Sequence, residues 1–320
     1  MAAVSNACVP EVLELRHLTA EDLAPVLEEE SLTWRTMLNW DFTASAELVR
    51  RFVRIQALTG YALLIDGRPV GYSYYVCEDR KALIGDLYLL REFSTTENED
   101  RLLFAVLNSL LHNMHLKRVE AQLMMLHGPF ERNLPFSKHV EIHPRNFMMV
   151  DLNDAAALPE GRAATLADLG PWSEKRQEDA AQLIAAAYQG HVDSRINDQY
   201  RSVSGAKRFL TNIVQYPGCG LFFGPGSFLA EADGRLLGIS LTSLVASDVG
   251  HITQICVSPE AKRIGLGYEM LRRSLRAMAD HGCEKASLTV TAVNQEAIQL
   301  YQRMGFRAMR RFAAFVWEGF

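Results

Sequence analysis

The chain has 320 residues, a formal net charge of −5 at pH 7 and a mean hydropathy of −0.03. A chain of this length has more residues than one domain with a single hydrophobic core usually contains, which predicts two domains. A hydrophobic content of 48% with 22% charged residues argues against a disordered chain, and the acidic balance argues against nucleic acid as a partner.

The cysteines and the hydrophobic pattern of the sequence indicate the cellular compartment of the protein. The five cysteines are scattered and form no C-x-x-C pair, which argues against a disulfide framework or a metal site: Cys8, Cys77, Cys219, Cys256 and Cys283. The first residues lack a basic segment followed by an apolar core, and no apolar run of membrane-spanning length follows. We therefore expect a cytoplasmic protein with no membrane partner.

Two stretches of the chain share one pattern of predicted strands. D-G-R-x-x-G occurs at Asp66–Gly71 and again at Asp233–Gly238. In each copy an apolar strand leads into the Asp-Gly turn, an alternating strand leaves it, and another strand follows. The pattern predicts an antiparallel meander, present twice.

The rest of the chain supports a duplication. A helix is predicted at 97–115 before a strand at 118–125, and a helix at 265–281 before a strand at 286–291. The Ala-, Gly- and Pro-rich segment 153–175 is typical of a linker, and helices are predicted at 178–190 and 204–215. We expect two α/β domains of one fold, residues 1–155 and 156–320.

The sequence VSPEAKRIGLGYEMLRRSL, residues 257–275, predicts a strand, a glycine-bearing turn and a helix. Such a turn leaves backbone N–H groups at the positive end of the helix dipole, which suits an anion such as a pyrophosphate. The alternative is an ordinary helix start whose glycines serve packing.

This turn belongs to a longer ordered pattern, GHITQICVSPEAKRIGLGYEML followed by ASLTVTAVNQEAIQLYQRMGF. The pattern resembles the GNAT superfamily of CoA-dependent N-acetyltransferases, most strongly over residues 230–306. The strand order extends the resemblance to both halves, with a tandem architecture similar to that of mycothiol synthase. It implies two acyl-CoA N-acyltransferase folds, each a mixed, mostly antiparallel sheet flanked by helices.

The resemblance implies acetyl-CoA as cosubstrate and no metal. The backbones of Ile255 and Val257 are implied to bind the pantetheine arm, and Asn294 to contact the cofactor. The pyrophosphate motif falls on Lys262, Arg263, Ile264, Gly265, Leu266 and Gly267. Lys262 departs from the Arg or Gln of the motif, and it can supply charge without a guanidinium fork.

Catalysis by direct transfer needs a neutral amine and a protonated leaving thiol. A lysine-like amine is only about one part in 2,500 unprotonated at pH 7. His251, eleven residues before Lys262, lies where some family members place a base, although it could instead cap a strand end. Glu231 is the reserve candidate, with a structural role as its alternative. The resemblance implies Tyr301 as the acid, and its alternative is a core tyrosine.

The polar segment 188–202 lies between two predicted helices, where the resemblance implies acceptor binding. The candidate substrate-binding residues are His191, Asp193, Arg195, Asn197 and Arg201. The alternative is a solvated surface loop.

The first half lacks these features. LYLLREFSTTENEDRLLF, residues 87–104, has no glycine at the turn and carries several carboxylates that repel phosphate. We expect residues 1–155 to be a degenerate GNAT-like domain and residues 156–320 to be the catalytic one.

The expected function is acetyl transfer to a primary amine of a small polar metabolite or peptide, by a monomer or homodimer. Two alternatives stay open. One is a non-catalytic acyl-CoA sensor, and the other is an aminoacyl-tRNA-dependent transferase of related tandem fold.

Overall fold

The computed structural model describes residues 10–113, 115–153, 157–216 and 218–320. The chain forms two compact units: residues up to His143 together with Phe312–Phe320, and Pro144–Arg311. The expected boundary between residues 155 and 156, like Cys8, lies outside the described residues.

The helices and strands follow one another along the chain as below. The first part contains β1 (Glu11–Glu14), α1 (Ala20–Leu38), α2 (Thr43–Arg54), β2 (Gly60–Ile65), β3 (Arg68–Glu78), β4 (Lys81–Leu89), α3 (Thr96–Leu111), β5 (Arg118–Leu123) and β6 (Val140–Asp151). The second part contains β7 (Asp168–Pro171), α4 (Gln177–Ala187), α5 (Asp193–Ile196), α6 (Val203–Gln215), β8 (Leu221–Phe222), β9 (Phe228–Ala232), β10 (Arg235–Ala246), β11 (Val249–Val257), α7 (Leu266–His281), β12 (Lys285–Thr291), α8 (Gln295–Arg303) and β13 (Arg307–Glu318).

Local chemistry explains where several elements begin and turn. Asp66 and Gly67, like Asp233 and Gly234, all have positive φ, as the two central residues of a type I′ hairpin turn require. Helix α1 starts in a capping box between Thr19 and Asp22, in which each residue's side chain accepts a hydrogen bond from the other's backbone N–H.

The first unit is built on a sheet with the strand order β1-β2-β3-β4-β5-β13. The strands β2, β3 and β4 form the predicted meander, and β4 and β5 are parallel. Helix α3 packs on this sheet through buried leucines, which belong to a core that also contains Trp317. The second unit has the order β6-β12-β11-β10-β9-β7, with β8 paired to β10. Its meander is β9-β10-β11, and β11 and β12 are parallel.

The α/β fold with mixed, mostly antiparallel sheets is therefore confirmed, but each sheet contains one strand from elsewhere in the chain. Strand β6 pairs with β12 of the second unit along Arg145–Asp151, and β13, from the end of the chain, pairs with β5 of the first. A division of the chain into two continuous halves would assign β6 to the first unit and β13 to the second, whereas each pairs with a strand of the other unit. Within the described ranges, no helix is long and apolar enough to cross a membrane.

Candidate functional site

A cleft of about 750 Å³ opens in the second unit, where β11 and β12 separate. The two strands pair only from Val249 to Ile252 and from Lys285 to Leu288. Beyond Ile252, the pairing of β11 with β10 contains a bulge in which Thr253 is the extra residue. A bulge bends its strand and increases its twist, which accounts for the divergence from β12.

The backbone of β11 faces this cleft at the predicted positions. The Ser258 N–H donates to Leu237 O on β10, at 2.7 Å. Because backbone groups alternate between the two edges of a strand, those of Ile255 and Val257 are directed away from β10. Both residues line the cleft.

The glycine turn closes one end of the cleft. Helix α7 begins after Gly265, which has φ of +94° and provides no side-chain cap. The first bond within the helix runs from Glu269 N–H to Gly265 O, so the N–H groups of residues 266–268 precede it. Gly267 lines the cleft, where a Cβ would be 3.7 Å from Val257 and 3.8 Å from Leu300. The turn thus presents unsatisfied donors to an anion.

Basic side chains border the same end. Lys262 and Arg263 are exposed and, with Arg303, line the cleft. Arg263 donates to Glu296 at 2.8 Å, and this hydrogen bond lowers the pKa of the Glu296 carboxyl. Ile264 is exposed and Leu266 is buried in the core under the helix.

Asn294 and Tyr301 reach the cleft from α8. The Asn294 side chain accepts the N–H of Ala297 at 3.3 Å and so begins the helix. Tyr301 is 7% exposed, and within the described part of the chain its hydroxyl has no hydrogen-bond partner. Burial raises its pKa, and the nearby Asp193 carboxylate raises it further. The hydroxyl therefore stays protonated at physiological pH.

His251 lies outside the cleft lining. Its Nδ1 is 2.9 Å from Ser287 Oγ, and its ring stacks on Phe147 with the centroids 6.4 Å apart. Burial and the charge of Arg145 lower its pKa to about 4, so the ring is neutral at pH 7. The other candidate base, Glu231, also lies outside and is paired to Arg176 at 2.6 Å.

The predicted acceptor residues divide into two groups. His191 and Asp193 line the cleft, with His191 Nδ1 3.7 Å from an Asp193 carboxylate oxygen. The other three do not line it. Asn197 accepts the Gln199 N–H, Arg201 donates to Ser194 O, and Arg195 is exposed. Among the described residues, no group of three or more His, Cys, Asp or Glu is arranged to hold a metal ion.

Sequence reasoning missed one wall of the cleft, formed by Tyr188, Tyr200 and Gln254. The two tyrosine rings stack with centroids 4.3 Å apart. The Gln254 amide donates to the Tyr188 hydroxyl at 3.0 Å and accepts from the Tyr200 hydroxyl at 3.3 Å. A glutamine between Ile252 and Cys256 on the same strand was the available signal, since a polar residue in a buried alternation needs a partner.

Arg145, on β6, also lines the cleft and was missed. It precedes the expected domain boundary, so nothing local in the sequence connects it with the site. Its position in the cleft follows only from the pairing of β6 with β12.

The first unit repeats the strand geometry but differs at the start of the helix that follows. Strands β4 and β5 also pair over four residues only, next to a bulge at Gly85. The start of α3, however, is capped by the Thr95 side chain, which accepts the Asn98 N–H at 3.2 Å. A donor that an anion could use is thus already occupied.

The comparisons with known proteins agree with this geometry. Residues 196–306 match the acetyltransferase (GNAT) family. A mycothiol acetyltransferase from Thermomonospora curvata is 36% identical over 81 residues, which are 25% of this chain and 27% of that protein. That protein and two further mycothiol acetyltransferases are matched over 27% to 40% of their own length, so the chain spans less than half of each relative.

Solved structures resemble the chain over nearly all of its length. A GCN5-related N-acetyltransferase from Sphaerobacter thermophilus has a TM-score of 0.66 at 16% identity, covering 97% of this chain and 95% of that one. A tandem GNAT protein from the clavulanic acid biosynthesis pathway has a TM-score of 0.56 at 17% identity, covering 97% and 98%. The fold and the family match confirm the resemblance seen in the sequence: residues 196–306 match the acetyltransferase (GNAT) family, within a chain whose fold is that of tandem GNAT proteins.

Proposed function

We propose that the second unit binds acetyl-CoA in its cleft and transfers the acetyl group directly to a primary amine of a small polar molecule or peptide. The observation that carries the proposal is the uncapped glycine turn of α7, which opens on the same cleft as the separated strands and Tyr301. The name mycothiol acetyltransferase, shared by several relatives, favours a small-molecule acceptor.

The residues present fit this cosubstrate. The N–H groups of residues 266–268 would bind the pyrophosphate, with Lys262 and Arg263 supplying positive charge. The free backbone groups of Ile255 and Val257 would bind the pantetheine arm, and Asn294, the cap residue before α8, would contact the cofactor. Acetyl-CoA supplies an acetyl group that is activated as a thioester.

In the transfer, a C–N bond forms, the C–S bond breaks, the amine loses a proton and the leaving thiolate gains one. Tyr301 stays protonated and is the cleft group that donates to the sulfur. Cys256 also lines the cleft, but burial raises the pKa of its thiol to about 12. Such a thiol is a poor nucleophile at pH 7, which favours direct transfer over an acetyl-cysteine.

The amine proton needs an acceptor inside the cleft. His191 fits this role, because its imidazole lines the cleft next to the Asp193 carboxylate. We assign proton removal to His191 or to water that it contacts. The first unit, with its capped α3, serves packing and does not bind the cosubstrate.

A non-catalytic acyl-CoA-binding protein is the second candidate. It is favoured by the positions of His251 and Glu231, since neither residue suggested as a base reaches the cleft.

The test is release of free thiol from acetyl-CoA in the presence of a panel of primary amines. Tyr301→Phe should lower kcat by about 100-fold or more, because it removes a general acid. It should leave the affinity for acetyl-CoA unchanged. Tyr216→Phe is the matched control, since Tyr216 is 61% exposed in the same unit.

Binding of acetyl-CoA without thiol release from any amine would support the second candidate. Turnover that is indifferent to Tyr301→Phe would contradict the assignment of Tyr301 as the general acid and would leave acetyl transfer standing. A protein that neither binds nor turns over acetyl-CoA contradicts the proposal.

A further inference from the structure

Two side chains of opposite charge line the cleft and come from different elements. Arg145 comes from β6 and Asp193 from α5. Among the described residues neither forms an ion pair with the other, although both face the same space. Their surroundings show what each can bind.

Only some of the hydrogen-bond donors of the Arg145 guanidinium have a partner. One terminal nitrogen donates to Thr289 Oγ1 at 3.2 Å. Its Nε is buried and has no hydrogen-bond partner, and no described carboxylate pairs with the guanidinium. A guanidinium is always charged and its donors match the two oxygens of a carboxylate. A buried N–H of this kind costs stability unless a ligand satisfies it.

Asp193 is oriented by Thr291, whose Oγ1 donates to one carboxylate oxygen. His191 Nδ1 accepts the Asp193 backbone N–H at 3.2 Å and lies 3.7 Å from the other carboxylate oxygen. No Lys or Arg of the described chain pairs with it, and its side chain is 16% exposed, toward the cleft. The carboxylate is therefore available to a cationic amine.

Both charges lie near one hydroxyl. Burial raises the pKa of Tyr200, the charge of Asp193 adds to the increase, and that of Arg145 opposes it. Asp193 also acts on Tyr301, whose hydroxyl faces the reacting thioester in the proposed function. The Asp193 carboxylate thus lies in the part of the cleft where, in the proposed function, the amine must react.

We infer that the acceptor is an amine that also carries a carboxylate, bound with its amino group toward Asp193 and its carboxylate on Arg145. A free amino acid and a short peptide with a free carboxyl end share this chemistry. The inference rests on the proposed function and adds the substrate class. Without the carboxylate, the Arg145 guanidinium stays unsatisfied, and a site built to hydrogen-bond a group discriminates strongly against analogues that lack it.

The experiment compares matched acceptors with the full-length protein saturated with acetyl-CoA. The probes are amino acids and their carboxamides, and dipeptides with free or amidated carboxyl ends. We expect kcat/KM to be roughly 10- to 100-fold higher for the carboxylates, mainly through KM. The better class, amino acids or dipeptides, identifies the source of the ligand.

Arg145→Gln should remove this preference by raising KM for carboxylates roughly 10- to 100-fold, with little change for the amides. Arg145→Lys should restore part of the preference, because charge is kept while the fork is lost. Arg276→Gln is the control, since Arg276 is exposed on α7 and lies outside the cleft lining. Calorimetric titration of the CoA-bound protein with the same probes gives a second readout without turnover.

Equal activity toward acids and amides contradicts the inference, as does a preference that survives Arg145→Gln. Acetylation of other amines, with no probe of either set accepted or bound, overturns the substrate class and leaves the proposed function standing. Failure to bind acetyl-CoA counts against the proposed function, and titration of the free protein with amino acids and amides, wild type beside Arg145→Gln, then decides the Arg145 assignment independently.

Discussion

Glu30 and Asp86 form a buried pair of carboxyl groups in the first unit. Glu30 accepts a hydrogen bond from the Tyr72 hydroxyl at 2.8 Å and from Trp34 Nε1 at 3.3 Å. Asp86 accepts the Leu87 N–H at 2.8 Å. Burial raises the pKa of both carboxyls, and the neighbouring Asp86 charge raises that of Glu30 further. Two adjacent carboxyls cannot both ionise cheaply, so the pair retains a proton.

Because of this pair, we expect the free energy of unfolding to fall as pH rises. The folded state holds a proton on Glu30 at pH values where the unfolded chain, with its ordinary pKa of 4.5, has lost it. The contribution is therefore complete below that value and is lost as pH rises toward the raised pKa of the folded state. The slope reaches about 1.4 kcal/mol per pH unit for one proton.

Glu30→Gln should remove most of this slope, because the amide keeps an acceptor for Tyr72 and does not ionise. Chemical denaturation at a series of pH values from 5 to 9 measures it, with Glu28→Gln, exposed on the same helix, as the control. A variant with the slope of the wild type would show that Glu30 does not hold the proton.

Residue positions in the site were predictable where a regular element carries them. Asn294 and Tyr301 are seven residues apart, a spacing that brings two helical residues to one face. Both line the cleft, with Asn294 as the cap residue that precedes α8. Strict alternation along β11 would put His251 on one face with Ile255 and Val257. The bulge at Thr253 interrupts that alternation, and a bulge has no reliable local signal.

At the scale of elements, hydrophobic periodicity and turn chemistry located the helices and hairpins well. The predicted helices at 204–215 and 265–281 are observed at Val203–Gln215 and Leu266–His281. The separation of β11 from β12 has no local signal in the sequence, because strand pairing is decided by tertiary packing. The inclusion of β6 in the second unit escaped prediction for the same reason.

The α7 turn makes a graded prediction about cofactor binding. Gly267→Ala should retain acetyl-CoA binding, because the added Cβ makes only ordinary contacts with Val257 and Leu300. Gly267→Glu should weaken binding by at least about 100-fold, because a carboxylate enters the space of the pyrophosphate. Gly265→Ala should lower the free energy of unfolding by about 1 kcal/mol, since its φ of +94° disfavours a side chain.

Binding of a CoA analogue to these variants, measured by fluorescence competition, checks the order, and urea denaturation checks Gly265→Ala. Equal loss of binding in Gly267→Ala and Gly267→Glu would mean that packing of the turn, and not charge in the phosphate site, explains the effect.

For the whole molecule, the two units share a meander followed by a helix and a parallel strand, as the repeated D-G-R-x-x-G pattern predicted. They differ at the helix that follows the meander. In the second unit it begins at a glycine without a side-chain cap, and in the first it begins at the capping Thr95. The shared meander was visible in the sequence, because both copies contain the same Asp-Gly turn residues, and so was the absence of glycines from the turn before α3.

The most direct test is calorimetric titration of the full-length protein with acetyl-CoA, wild type beside Gly267→Glu. The account predicts one molecule of acetyl-CoA bound per chain in the wild type and none in the variant. A second site that persists in Gly267→Glu would show that the first unit also binds. Absence of binding in the wild type would contradict the assignment of the cleft to acetyl-CoA.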